Sequence, residues 1–337
     1  MGFHNVPLGI GKVENDLLKK IVFDKITYRH EDVKVRSKIG EDCAVVGFGD
    51  YDCVISSDPI TATTSEIGSL AIHITCNDIA SNGVRPIAIM VVALLPSGTT
   101  TEDIETIMDD AGKAASEIGV EIVGGHTEIT DAINRPILIT TAIGKKLNDA
   151  HLALEISEGD SIILTKKAGL EGTAIIVMDK EAELQDILDE SEIDMAKSFM
   201  QHISVVKEGV IAGEIGVAAM HDVTEGGVFG GIWELCESAE KGALIDVSKI
   251  AIDDTTLKIA EKFDINPYKL ISSGSMLIIS PKDKTEDIVN AINSQDIDAC
   301  VIGEIKDKMY GIKYLDEQNE VKDIQPPSSD EIYRVLS

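Results

Sequence analysis

An α/β domain followed by an α+β domain is what this sequence predicts. Two observations carry that expectation. Short apolar runs alternate with stretches of helical spacing in both halves, and 337 residues with 44% hydrophobic content can bury two cores. Cys43 to Phe48 and Cys53 to Ser57 read as strands joined by the turn Gly49-Asp50-Tyr51-Asp52. Ser65 to Ala80 is helical, with Ile67, Leu70, Ala71 and Ile74 on the helical period. Ile87 to Leu95 is a buried strand closed by Pro96-Ser97-Gly98. Thr99 with Glu102 forms a capping-box pattern for a helix reaching Ile118, which Gly119 ends. Val120 to Val123 and Ile137 to Ile143 are strands, split by a polar loop.

The second half starts near Gly159. Strands are expected at Ser161 to Thr165, Val217 to Met220, Ala243 to Val247, Met276 to Ile279 and Cys300 to Gly303. Helices are expected at Gly172 to Met178, Val205 to Ile215, Gly226 to Ala239, Thr255 to Lys262 and Thr285 to Asn293. Glu181 to Glu192 reads as a solvated acidic helix or linker. The boundary falls between Lys146 and Gly159, giving domains of residues 1–155 and 156–337.

Charge narrows the function classes. A formal charge of −29 excludes a duplex-coating role, because nothing this acidic gains from counterion release at phosphates. Any anionic ligand needs a local cation or a bound metal. The longest strongly apolar run, Ile87 to Leu95, is half the roughly 20 residues a membrane-spanning helix needs. Met1 to Lys12 carries no apolar signal segment, and Val6 stands where a myristoylated Gly2 would require Ser or Thr. Five cysteines without a C-x-x-C pair read as reduced thiols of a cytoplasmic protein.

The common nucleotide and hydrolase signatures are missing. Gly11-Lys12 is followed by Val13, Ile139 precedes Gly144-Lys145 where a P-loop needs glycine, and no G-x-G-x-x-G, H-E-x-x-H or G-x-S-x-G occurs. Acidic and polar residues instead gather at element ends: Glu41-Asp42, Ser56-Ser57-Asp58, Asn77-Asp78, Gly124-Gly125-His126-Thr127-Glu128 and His221-Asp222 through Gly226-Gly227. Hard oxygen ligands brought together from such ends suit Mg²⁺, the usual bridge between carboxylates and phosphates. Gly124-Gly125, and Gly226-Gly227 at a helix start, would let backbone N–H groups approach a phosphate. Each feature also has a structural alternative: a strand-end Asp can cap a turn, Asn77-Asp78 can be a buried hydrogen-bonded pair, and His73 suits a core or interface. His221 and Asp222 are no dyad by adjacency, since neighbours on a strand point to opposite faces.

Taken in order, these segments resemble the AIR synthase superfamily, which also holds the hydrogenase maturation protein HypE, selenophosphate synthetase and thiamine-monophosphate kinase. Ile39 to Val46 (IGEDCAVV) is similar to its G-D-D-A-A-V element, with Glu41 for the first Asp. Ser56-Ser57-Asp58 matches T-T-D, and Asn77 to Pro86 (NDIASNGVRP) matches N-D-(I/L)-A-x-x-G-A-x-P. Gly124 to Thr127 corresponds to G-G-(D/E/H)-(T/S), and His221 to Gly227 to H/R-D-x-T-x-G-G. The resemblance spans roughly residues 36 to 280. It implies a PurM-like fold whose first-domain strands form a β-barrel across a homodimer. It also implies ATP with Mg²⁺, and γ-phosphate transfer to an oxygen or selenium nucleophile. Asp42, Asp58 and Asp78 would be Mg²⁺ ligands, Asn77, Asp58 and Gly124, Gly125 and Thr127 would contact nucleotide or phosphate, and Asp78 with His126 would sit at the chemistry. Glu128 is placed to supply the carboxylate that His126 replaces.

Within the superfamily, the segments around Gly172 to Ile175, Asp222 to Gly227 and Ser273 to Leu277 look most like HypE and its paralogues. HypE carries a terminal Cys whose carbamoyl group is dehydrated, whereas the last cysteine here, Cys300, falls in an expected strand. The implied activity is therefore Mg²⁺-ATP-dependent phosphorylation or dehydration of another carbonyl- or amide-type acceptor, small or protein-borne, with a maturation partner protein possible. An ATP-binding scaffold without turnover and AIR synthase itself stay open. So does a zinc hydrolase using His126, Glu128, His221 and Asp222.

Overall fold

A computed structural model describes residues 13, 15–36, 38, 40–61, 66–147, 155–327 and 329–336. The expectations on Met1 to Lys12, on Ile39, on Ser65 and on 148–154 within the expected boundary lie outside the described residues. The first half runs α1 (Asn15–Ile21), β1 (Val33–Val35), β2 (Ala44–Phe48), β3 (Tyr51–Ile60), α2 (Ile67–Ser81), β4 (Pro86–Pro96), α3 (Thr101–Ile118), β5 (Glu121–Thr130) and β6 (Ile137–Leu147). Its six strands form one mixed sheet in the order β1-β2-β3-β6-β4-β5, with only β4 and β5 parallel. Along β6, buried residues alternate with half-buried ones from Leu138 to Gly144, the period-two signature of a sheet with one face against a core.

The second half runs β7 (Ser161–Thr165), α4 (Leu170–Leu184), α5 (Glu190–Ser198), α6 (Val206–Ile215), β8 (Ala219–Asp222), α7 (Gly227–Ala239), β9 (Gly242–Asp246), α8 (Asp254–Phe263), β10 (Met276–Ser280), α9 (Lys282–Asn293), β11 (Ala299–Lys306), β12 (Ile312–Leu315), β13 (Val321–Asp323) and α10 (Ile332–Leu336). Its seven strands order as β13-β12-β9-β11-β7-β10-β8, mixed through the parallel pair β9–β12. Both β7 and β10 are buried at every residue. Ile163, Met276 and Ile278 face α6 and α9, while Ile162, Leu164, Leu277 and Ile279 face α7.

One apolar core crosses from one sheet to the other. It joins Val45, Val54 and Ile89 of the first half to Val206, Val210, Met276 and Ile278 of the second. α2 stands at its centre, with thirteen of its fifteen residues buried, so it is enclosed on nearly every side rather than amphipathic. Small residues allow the close crossing of α2 with α6. A Cβ added at Gly209 would meet the Ala80 carbonyl oxygen at 2.6 Å, and one at Gly213 would meet Gly83 Cα at 2.5 Å.

Three expectations are corrected. The cap of α3 sits at Thr100 with Asp103, one residue beyond Thr99 and Glu102, because the Thr99 hydroxyl donates to the Pro96 carbonyl at 2.8 Å and stays in the turn. The acidic run from Glu181 straddles the end of α4 and the start of α5, and buried Leu184 and Leu188 anchor it. Gly124 to Thr127 are not a loop but the middle of β5. The pairing Ile89↔Ile122 gives way to Met90↔Gly124, a bulge at Val123, so both glycines take positive φ within the strand. Gly125 lies so close to β4 that a Cβ would fall 1.7 Å from the Val91 carbonyl oxygen.

Asn77 binds the halves directly. Its Nδ2 donates to the Ile203 carbonyl and its Oδ1 accepts from the Val205 N–H, each at 2.9 Å. With no exposed surface, this amide makes a structural clasp between the halves. Asn77→Ala would leave both backbone groups buried and unpaired. It should lower unfolding free energy by about 3 kcal/mol in urea titration, with little change in far-UV circular dichroism of the folded protein.

Candidate functional site

A cavity of about 620 Å³ lies between the two sheets. Asp42 enters it just ahead of β2, Asp58 from the end of β3, Asp78 from α2, and His221 and Asp222 from the end of β8. Glu234 of α7, Glu171 of α4, Glu41 and Glu225 complete its acidic lining.

His221 is clamped between carboxylates. Its Nδ1 lies 2.9 Å from Asp42 Oδ2 and its Nε2 lies 3.0 Å from Glu234 Oε2. Burial opposes charge on the ring, yet Asp42 and Glu234 hold its pKa well above the ordinary value, so the ring is an imidazolium that fixes Asp42. The aspartates show the opposite strain. Burial, then Asp222 and Asp58, push Asp78 well above the carboxylate range, while Ser56 Oγ donates to its Oδ2. Burial, then Asp42, push Asp222 up to about 7, although His221 opposes this. Asp222 Oδ2 is buried without a hydrogen-bond partner.

Buried carboxylates that raise one another, one of them with an orphaned oxygen, fit a bound cation. One atom each from Asp42, His221 and Asp222 falls within a 4.8 Å span. With both ring nitrogens engaged, the donors left for a metal are carboxylate oxygens, which suits a hard ion such as Mg²⁺ better than zinc.

The structure brings Asp42, Asp58 and Asp78 to one cavity. It does not bring Gly124, Gly125, His126, Thr127 and Glu128 there within one protomer. They lie exposed on the edge strand β5, where His126 Nε2 stands 3.4 Å from Glu128 Oε2. The four-residue zinc set is accordingly split, with only His221 and Asp222 in the cavity. Gly226-Gly227 is closed to phosphate as well, since Asp330 Oδ2 accepts the Gly226 N–H at 2.6 Å. His221 and Asp222, neighbours on a strand, nonetheless both reach the cavity at the strand's end. Asp222 had a signal in the H-D-x-T-x-G-G segment; Glu171 and Glu234, inside apolar helices, had none.

The family model described as AIR synthase related protein, N-terminal domain, matches residues 40–145, and that for the C-terminal domain matches residues 157–314. A Methanocaldococcus jannaschii protein bearing the name hydrogenase expression/formation protein is 28% identical over 290 residues, covering 82% of each chain. The carbamoyl dehydratase HypE of Rhizobium leguminosarum bv. viciae is 25% identical over 252 residues, 73% of this chain and 70% of the relative. Among solved structures, HypE in a HypE–HypF complex superposes with a TM-score of 0.75 at 20% identity, covering 92% of this chain and 99% of that one. HypE in complex with ATP superposes with a TM-score of 0.71 at 20% identity, covering 97% and 98%. The fold is thus the two-domain PurM-like α/β arrangement, and among the described residues no helix is long and apolar enough to cross a membrane.

Glu171 supplies a pH signature at the cavity's far wall. Burial pushes its carboxyl from 4.5 up to about 7, with Ser273 only partly offsetting this. A raised folded pKa means stability present at low pH and lost as pH rises from about 4.5 through about 7. Glu171→Gln should therefore match the parent at pH 4 and exceed it at pH 8 by on the order of 2–3 kcal/mol in urea unfolding.

Proposed function

The chain belongs to the AIR synthase related protein family through both halves, and from that premise we propose that it is a Mg²⁺-ATP-dependent enzyme acting on a carbonyl- or amide-type acceptor in hydrogenase metallocentre maturation. The observation that carries this reading is the convergence of Asp42, Asp58, Asp78 and Asp222 on one cavity. Those four would hold Mg²⁺, which when bound neutralises phosphate oxygens and the carboxylates' mutual repulsion. Within the chain's own chemistry, the imidazolium of His221 fixes Asp42, while Ser56 orients Asp78.

The acceptor chemistry follows from the relatives' dehydratase name. An amide oxygen attacks the γ-phosphorus and the bond to ADP breaks. The resulting C–O bond then breaks with phosphate as leaving group, and nitrogen loses its protons to give a nitrile. A maturation partner belongs to this reading, supported by the HypE–HypF assembly, and the chain's charge of −29 favours a basic one.

Nucleotide binding is checked by calorimetry of Mg²⁺-ATP. Saturable binding should vanish with EDTA and weaken at least about tenfold in Asp78→Asn, a loss of roughly 1.4 kcal/mol or more. Binding that ignores both EDTA and the substitution would overturn the assignment.

The same reading includes a homodimer that closes the first sheet into a barrel. Supporting it, β5 is an edge strand with nearly every residue exposed, and Ile87, Met90, Val123 and Ile129 on β4 and β5 each leave about half their surface open. A role for Gly124 to Glu128 at the nucleotide requires a second protomer to bring β5 against the cavity. Light scattering should give twice the chain mass for the parent and a single chain mass for Val123→Asp/Ile129→Asp with unchanged circular dichroism. A monomeric parent would remove the dimer from the proposal.

A further inference from the structure

On the other side of Gly40-Glu41-Asp42 lies a second, larger cleft of about 960 Å³, walled by the β1 segment, the ends of α2 and β6, the start of β8 and the end of α7. Its lining reverses the chain's charge. Lys34, Arg36, Lys38, Lys146 and Lys241 face it, against Glu41, Asp42 and Glu155, in a protein of formal charge −29.

Several of these charges cancel locally. Lys38 pairs with Glu41 at 3.3 Å, Lys34 with Asp52 at 2.6 Å, and Asp42 is held by His221. Arg36 donates to the His30 carbonyl, and among the described residues none of Arg36, Lys146 and Lys241 meets a carboxylate within 4 Å. Three cations from three separate elements therefore share one cleft with Glu155 as the remaining acid. Lys146 and Lys241 are both half-buried, so water screens them less than surface lysines.

We propose that this cleft binds a small oxyanionic molecule, carrying phosphate or carboxylate groups, through Arg36, Lys146 and Lys241. The guanidinium of Arg36 offers a planar fork and the two ammonium groups add point charges, the combination that recognises oxyanions. Asn82 and Ser81, at the end of α2, add neutral donors to the same wall. Supporting this, burial and then the nearby Lys34 hold the Lys146 ammonium below its ordinary pKa, even though Asp52 works the other way, so a bound anion relieves an existing strain. Because the cleft and the aspartate cavity share Lys38, Gly40, Glu41 and Asp42, an anion here stands next to the aspartate cavity. Its identity as the acceptor rests on the function proposed above; the anion site itself does not.

The experiment uses inorganic pyrophosphate and citrate as probes, titrated into the EDTA-treated full chain, where the metal-free aspartate cavity repels anions. One or both should bind saturably, and which of the two binds tells phosphate from carboxylate recognition. Lys146→Ala/Lys241→Ala should weaken binding at least tenfold, and Lys146→Arg/Lys241→Arg should restore it, with thermal unfolding of both variants confirming that they are folded. No saturable binding in EDTA, or binding indifferent to the alanine pair, overturns the site. Loss of Mg²⁺-ATP binding in the alanine pair also overturns it, by giving the cleft to the nucleotide. If pyrophosphate or citrate binds as expected but Mg²⁺-ATP does not bind the parent, the anion site stands and its role as acceptor site falls.

Discussion

The rest of the structure depends on the burial of α2 from every side. A helix enclosed by one sheet, by α3 and by the second half's α6 turns few polar residues to water, so most of its polar groups must be satisfied inside, although His73 Nδ1 is buried without a hydrogen-bond partner. Thr75 meets Thr140 and the Ala71 carbonyl, Asn77 takes two backbone groups of the other half, and Asp78 takes Ser56. Burying its isoleucines and leucine contributes roughly 1.5–3 kcal/mol each, which offsets the cost of keeping a carboxyl at the same depth. One helix thereby fixes both the relative placement of the two sheets and the position of Asp78 at their junction.

That placement explains why the site is strained as it stands. Asp58 and Asp78 belong to the first half and Asp222 to the second, so the two sheets meet with like charges facing each other. The apolar core that crosses the same junction supplies the cohesion that holds them there. A cation in the cavity would turn this repulsion into coordination and stabilise the junction that α2 and Asn77 already set. His221 serves one side of this balance only. Both its nitrogens are taken by Asp42 and Glu234, so it supplies positive charge without competing for the oxygens left to a ligand.

Most of the helices and strands were legible because their patterns are local. The Gly119 end of α3, the strands β7 and β10, and the aspartates at element ends follow from spacing, turn chemistry and short segments of sequence. Two kinds of information were not. Gly124-Gly125 looks like a loop because glycine pairs usually punctuate, yet here they let β5 bulge and approach β4, a constraint visible only from the neighbouring strand. Asn77 looks like a ligand from its place beside Asp78, and its clasp on Ile203 and Val205 spans more than 120 residues of sequence. Glu171 lies in the apolar first half of α4 and Glu234 in the middle of α7, and nothing near them in sequence says that both face one cavity.

The charge distribution completes the argument from the same geometry. A chain of −29 would present a uniform barrier to anions, and the fold breaks that uniformity at a single wall. On one side of Gly40-Glu41-Asp42 the cavity gathers aspartates from four segments; on the other, the cleft gathers Arg36, Lys146 and Lys241 from three different ones. Gly40, with φ of 70°, packs so closely on α7 that a Cβ would lie 2.8 Å from the Glu234 carbonyl oxygen. The wall therefore cannot thicken, and Glu234, whose carboxylate holds His221, comes from the helix it rests on. The two proposed sites therefore share one turn, and Asp42, which lines both cavities, ties the geometry of one to that of the other.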